Sequence, residues 1–404
     1  MTSTDTHTPA STRRPAAAAR RFYPQLEGMR ALAAIGVLTT HVAFQTGAVR
    51  LPILGPVLGR LDLAVALFFA LSGFLLWRPW VDHAHAAHVD GTDRGHPSIR
   101  RYLRHRVVRI WPAYVVVVAV VLLLLPDAQG ADATVWLANL TLTQVFVPLS
   151  LTAGLTQMWS LSVEVAFYAL LPVIGLALLR LRGRRASRRI PALLALGALS
   201  LVWAWPAMAL PLPAGVEPKN WVFGHLPWFF AGLILAETAG AIEHGHASRW
   251  VERIAAVGAR RWWMLATLVV AYALACTPLA GPTGLGALTN LQFATKMVLG
   301  AVCGFALLAP LVCSAGPFRI LTSPVMLALG RWSYGIFIWH LAVLAVVFGL
   351  FGIIPFTGDT LLVWSITVVL TIGISAASYA FIEEPARRWL RRGETTRALR
   401  QPTR

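Results

Sequence analysis

The chain is 404 residues long, 57% hydrophobic and 13% charged, with a formal net charge of +18 and a mean hydropathy of +0.65. Soluble domains carry about 25% charged residues, so the composition excludes a soluble globular enzyme and a disordered chain alike. The basic excess would suggest nucleic acid in a soluble protein. Here apolar runs of about 20 residues recur throughout and read as membrane spans, with the basic residues orienting the loops. The expected partner is a lipid bilayer, with no nucleic acid.

Residues 1–24 are small, polar and basic, and read as a disordered cytoplasmic N-terminus. Arg13-Arg14 would suit an export signal, but the apolar segment that follows holds Glu27, Arg30 and His41 and suits a retained span. Ten segments pass the length and apolarity test: 26–45, 61–80, 107–125, 159–180, 190–210, 221–237, 262–278, 294–313, 332–352 and 361–383. The stretch 134–148 is shorter and more polar, and reads as an interfacial or re-entrant piece. The fold class expected is all-α, a polytopic membrane helix bundle of about ten transmembrane helices with both termini cytoplasmic. The membrane domain spans 25–385, and 386–404 is a basic cytoplasmic tail.

Charge tests this topology. With the N-terminus inside, all basic residues except Arg30, Arg50, Arg60, Lys219 and Lys296 fall in or beside cytoplasmic segments. An eleventh span would reverse every later loop. The bias of 33 Arg to 2 Lys reads as GC-rich, actinobacterial coding. Cys276, Cys303 and Cys313 have no metal or disulfide spacing and read as buried small hydrophobes.

Ionisable side chains at bilayer depth are functional candidates by default. In the first span Arg30 and His41 are 11 positions apart, which returns to within about 20° of one face, roughly 16 Å along the axis. Glu27, three residues before Arg30, can pair with it. The second span carries Phe68-Phe69-Ala70-Leu71-Ser72-Gly73-Phe74, with Asp62 at its outer start. His83, His85, His88 and His96 then fall in a polar loop, read as solvated with a metal site as the alternative. Arg100, Arg101, Arg104, Arg106 and Arg109 lead into the third span. Arg106 and Arg109 share a face at the cytoplasmic edge, where arginine forks suit phosphate. The fourth span opens Trp159-Ser160-Leu161-Ser162-Val163-Glu164, followed by Tyr168. Glu164 lies at a depth like that of His41 and is expected to orient it. The ninth adds Ser333-Tyr334 and Trp339-His340, and Glu383-Glu384 before Pro385 reads as the end of the last helix. The plainer readings are a boundary ion pair for Glu27–Arg30, a packing histidine for His41 and His340, a structural carboxylate for Glu164, small-residue helix packing for Ser72-Gly73, and a topology determinant for the arginines.

Together these motifs, in this order, resemble the acyltransferase 3 family of integral-membrane acyltransferases over roughly residues 22–392. The resemblance rests on Leu26-Glu27-Gly28-Met29-Arg30 with its spacing to His41, Phe68–Phe74, Arg106-x-x-Arg109-Ile110-x-Pro112, Trp159–Glu164, Gly330-Arg331-x-Ser333-Tyr334 with Trp339-His340, and Glu384-Pro385. It implies transfer of an acyl group, often acetyl, from a cytoplasmic donor such as acyl-CoA to a hydroxyl of a cell-surface carbohydrate or macrolide-like natural product. It maps the family's histidine onto His41 and its arginines onto Arg30, Arg106 and Arg109. Two features depart from the family pattern. Glu164 is followed by Val165 where many members have a second acid, and Ala66 stands where many have an acid, with Asp62 as the expected substitute.

The sequence reading is thus an O-acyltransferase of the cytoplasmic membrane with acyl-CoA as co-substrate and no bound metal or permanent cofactor. His41 and Glu164 are catalytic; Arg30, Arg106 and Arg109 bind the donor; Glu27, Asp62, Ser72, Tyr168 and His340 support them. The rival is a proton-coupled or lipid-linked-sugar transporter, disfavoured by the lack of evident internal repeats.

Overall fold

The computed structural model describes residues 22–89, 97–284 and 286–400, and every regular element among them is helical. The main helices are α1 (Gln25–Gln45), α2 (Ala64–Val89), α3 (Ile99–Leu124), α4 (Met158–Leu178), α5 (Arg189–Leu201) and α6 (Val222–Glu243). There follow α7 (Arg249–Gly258), α8 (Arg261–Ala275), α9 (Asn290–Cys313), α10 (Pro324–Phe351), α11 (Thr360–Ser378) and α12 (Glu384–Arg400). Their starts follow local chemistry. Ser98 accepts from Arg101 N at α3, Thr289 and Gln292 form a reciprocal box at α9, and Ser323 caps α10 with Pro324 at its first position.

Eight described segments are long and apolar enough to cross a membrane, and the pair α7–α8, bent by 76°, would make a ninth. The first of the ten expected spans is not among them. Its helix forms at full length, but Glu27, Arg30 and His41 dilute its apolarity. The stretch 134–148 holds only a short helix, Ala133–Leu140, and is no eleventh span.

Three other readings change. Residues 1–21 lie outside the described residues, but Tyr23, expected in a disordered tail, is buried and donates to Glu243 Oε1 at 2.7 Å. His83, His85 and His88 lie on α2, not in a loop, and the His85 ring stacks on His244 at 3.8 Å; His96 is outside the described residues. Finally, Glu383-Glu384 does not end the last helix. One π-turn, Tyr379–Glu383, links α11 to α12. The helix continues through Pro385, with the π-turn immediately before it.

Helix α6 is the hub, packed along α2 and α9, while α1 packs along α10. Small residues allow the close approaches. A Cβ on Gly232 would sit 1.9 Å from Ala70 O, and one on Gly330 would sit 2.2 Å from Glu27 O. Phe229 of α6 is stacked between Phe69 of α2 (4.3 Å) and Phe167 of α4 (3.8 Å).

A buried ion pair ties α5 to α6. Arg189 Nη1 lies 3.3 Å from Glu237 Oε2, Trp77 Nε1 donates to Glu237 Oε1 at 2.7 Å, and Arg189 Nη2 donates to Leu181 O at 2.6 Å. Removing one member of such a pair strands the other charge, at about 3–5 kcal/mol, whereas replacing both by apolar residues is often neutral. Glu237→Leu is expected to lower the unfolding temperature in detergent markedly, and Arg189→Leu/Glu237→Leu to recover most of the loss.

Candidate active site

Helices α1 and α10 present matched pairs of polar groups to each other. Arg30 Nε donates to Ser333 Oγ at 3.3 Å and lies 4.0 Å from Glu27 Oε2. Further along, His41 Nδ1 is 3.2 Å from His340 Nε2. The two contacts occur in the same order on both helices, so α1 and α10 run parallel. The expected common face of Arg30 and His41 is therefore the face turned to α10.

Hydrogen-bond logic fixes the protons on the two imidazoles. His340 Nδ1 faces the carbonyl oxygens of Phe337 (2.7 Å) and Ile336 (3.2 Å). Carbonyls only accept, so Nδ1 carries the proton and Nε2 a lone pair. His41 Nδ1 faces that lone pair and Val37 O at 2.8 Å, so it too is protonated and donates to both. His41 Nε2 is left as the basic nitrogen.

Glu164 is elsewhere. Ser72 Oγ donates to it, and Tyr168 OH, one turn on, donates to its Oε1 at 2.7 Å. It lines a cavity with Arg30 and Arg109, and among the described residues its hydrogen-bond partners are Ser72 and Tyr168, not His41. The expected Glu164–His41 contact is replaced by His340–His41. Glu164 lies two turns into α4, about 9 Å along its axis, so similar depth did not mean adjacency. Asp62 is not on the α2 face either. It lies in the 3₁₀ turn Arg60–Leu63, accepts from Lys296 Nζ at 2.6 Å and is 3.9 Å from Arg60 Nη1.

Two cavities meet at Arg30, Arg109 and Tyr334. The wider, of about 410 Å³, is a cationic mouth where Arg106 and Arg109 are joined by Arg331, Arg387 and Arg391. The inner one, of about 50 Å³, runs between Phe68, Leu161 and Phe337 to the Ser72–Glu164–Tyr168 cluster. Arg106 lies over the Tyr168 ring at 5.9 Å, and its Nε has no hydrogen-bond partner among the described residues. Such a group is poised for an anion.

The sequence reading missed the part played by the C-terminal segment. Arg387 and Arg391 were assigned to a plain basic tail, yet α12 continues the helix beyond α11 and walls the mouth. Arg101 Nε (2.9 Å) and His105 Nε2 (2.8 Å) of α3 meet Glu394 and hold it there. Their spacing of one helical turn is the only hint in the sequence.

A family model described as an acyltransferase domain matches residues 23–380. The chain belongs to this family. Among curated relatives, acyltransferase MdmB of Streptomyces mycarofaciens is 30% identical over 167 residues, 37% of this chain and 38% of that protein. Nodulation protein 10 of Rhizobium leguminosarum bv. viciae is 26% identical over 343 residues, 80% and 81% of the two chains. A provisionally named O-acetyltransferase of Staphylococcus aureus (strain COL) is 24% identical over 391 residues, 91% of this chain but 58% of its own length. The chain thus spans well under two thirds of the first and third of these relatives. No solved structure matches it.

The mouth has the charge and shape to hold a polyphosphate through arginine forks. Pyrophosphate titrated into the detergent-purified protein is expected to bind, more weakly as salt rises. Arg109→Ala should cost about tenfold or more in affinity, as a charge-assisted bond of about 1.5–3 kcal/mol implies, while Arg100→Ala, on the exposed start of α3, should change little.

Proposed function

We propose that this chain is a multi-pass O-acyltransferase of the cytoplasmic membrane, moving an acyl group from a cytoplasmic acyl-CoA-type donor to a hydroxyl. The acceptor is a cell-surface carbohydrate or a macrolide-like natural product. In this reading α1 and the bent α7–α8 pair bring the spans to ten, with both termini cytoplasmic. The observation that carries it is the continuity of a cationic mouth with a narrow inner chamber, one wall of which adjoins a histidine pair. Phe337 walls that chamber, and its ring centroid is 6.0 Å from that of His340. Family membership and the names of the relatives support the class of reaction.

Arg106 and Arg109, with Arg30 at the partition, hold the donor's phosphates, and the pantetheine arm passes Tyr334 into the chamber. His41 Nε2 takes the proton of the acceptor hydroxyl as its oxygen attacks the thioester carbon. The tetrahedral intermediate collapses, expelling the thiolate, which regains the proton from the imidazolium. His340 is a positioning residue. Its Nε2 accepts from His41 Nδ1–H throughout, the role first given to Glu164. Glu164, held by Ser72 and Tyr168, instead places a carboxylate opposite Arg30 in the chamber.

A positioned base is worth about 10²–10⁴ in rate. His41→Ala should lose that much of the thiol released from acetyl-CoA in the presence of a cell-envelope extract, while still inserting into the membrane. Full activity in that variant would refute the assignment, and a transporter would leave the thioester intact. His340→Gln, which can keep an acceptor for His41 Nδ1–H, should retain clearly more kcat than His340→Leu with KM alike in both. Equal losses in the two would leave His340 a packing residue.

A further inference from the structure

A cavity of about 630 Å³ opens between α1, α2, α8 and α9, and it shares no residue with the mouth or the chamber. It exists because α8 packs along α9 but only slightly on α1 and α2. Across the gap, α1 and α2 meet through small residues: a Cβ added to Gly36 would sit 3.1 Å from the Ala64 methyl. From Leu268 of α8 to Cys276 at its end the crevice follows the helix axis for about 12 Å. That approaches the depth of one leaflet, half of a hydrocarbon core of about 30 Å.

The wall offers water almost nothing. It is lined by Met29, Leu32, Leu67, Leu268, Val269 and Leu307 among others. Of the described residues that line it, only Tyr272 has a hydroxyl, which already donates to Val57 O at 2.7 Å. Cys276 and Cys303 behave as small hydrophobes. A buried water needs two to four polar partners, so the crevice is a place for hydrocarbon. Its lip faces outward from the bundle, with Leu32 and Val269 50% and 59% exposed.

One end of the crevice is charged. The 3₁₀ turn Arg60–Leu63 gives Leu61 and Leu63 to the wall and also carries Arg60 and Asp62. Asp62 accepts from the partly exposed Lys296 of α9. Arg60 is wholly buried, and its Nε and Nη1 have no hydrogen-bond partner among the described residues. Two cations therefore stand against one carboxylate. An apolar slot between membrane helices with surplus positive charge at one end matches an amphiphile with an anionic head.

We propose that this crevice binds a phospholipid with an anionic headgroup, one acyl chain lying between α8 and the α1–α2 seam and the phosphate beside Lys296. The chain supplies the packing that α8 lacks toward α1 and α2, so the lipid holds α8 to the bundle. The site rests on the membrane-spanning fold and not on the acyltransferase reading.

The test adds phosphatidylglycerol or phosphatidylcholine to the full-length detergent-purified protein, and reads bound lipid by native mass spectrometry and stability by thermal unfolding. Wild type should retain one phosphatidylglycerol in preference to phosphatidylcholine and unfold at a higher temperature with it. Lys296→Gln should cut that preference about fivefold, which is what one basic side chain is worth beside anionic lipid. Ala273→Phe, on the lip, should lose retention of both lipids and the rise in unfolding temperature. Ala33→Leu, on the opposite wall, should do the same and serves if the first variant does not fold. Equal retention of the two lipids, or a preference unmoved in Lys296→Gln, would overturn the anionic headgroup. No retained lipid in wild type, or retention unchanged in the folded filling variants, would overturn the site.

Discussion

The parallel packing of α1 on α10 is the contact on which the rest depends. It is possible only because Gly330 lets the backbone of α10 approach Glu27 O, where any side chain would collide. With the backbones that close, Arg30 and His41, which face α10, meet partners on it. Inside a membrane an unpaired polar group is expensive. Arg30 finds Ser333 and His41 finds His340. The pairing relieves that cost and also fixes which nitrogen of each ring carries a proton. The free base at His41 Nε2 is thus a consequence of helix packing and of two backbone carbonyls on α10.

The mouth carries the opposite kind of stress. Arg106, Arg109, Arg331, Arg387 and Arg391 share one cavity with few carboxylates to balance them. Arg387 Nη2 lies 3.7 Å from Glu383, whose carboxylate oxygens are buried without a hydrogen-bond donor among the described residues. Arg388 and Arg391 each donate to Glu384 at 2.9 Å. These pairs lie within the continuous segment of the π-turn and α12, and they do not engage Arg30, Arg106 and Arg109 at the inner end. Like charges held together by the fold repel, and an anionic ligand relieves that repulsion. The mouth is in this sense already arranged for a polyphosphate.

Spacing along a single helix was legible in the sequence; partners between helices were not. The shared face of Arg30 and His41 followed from the helical period, and Arg106 and Arg109 were read as a pair and lie in one cavity. Glu164 was matched to His41 by depth. Depth leaves rotation about the helix axis free, and rotation turned Glu164 to Ser72 and Tyr168. The position of Asp62 was misjudged for a related reason, since it precedes α2 in a 3₁₀ turn that does not keep the helical face and there meets Lys296 and Arg60. The C-terminal wall was hidden by a π-turn, which shifts the register by one residue and carries no sequence signature, so Pro385 read as a stop. The first span was legible as a helix because of its apolar run, yet it is too polar to pass as a span by composition. The same ionisable residues that mark it as a candidate site disguise it as a span.

The separation of Glu164 from the histidine pair changes how the chemistry is divided. A carboxylate beside His41 would have put base, orienter and donor anchor in one place. Instead the carboxylate cluster shares the chamber with Arg30, and the base lies beyond Phe337 with a second histidine as its partner. In the proposed mechanism the arginines hold a charged donor, and its uncharged thioester end advances toward the histidine pair. The aromatic pair Phe68 and Phe337 stands between the two stations, so it meets the acyl group just before the base does.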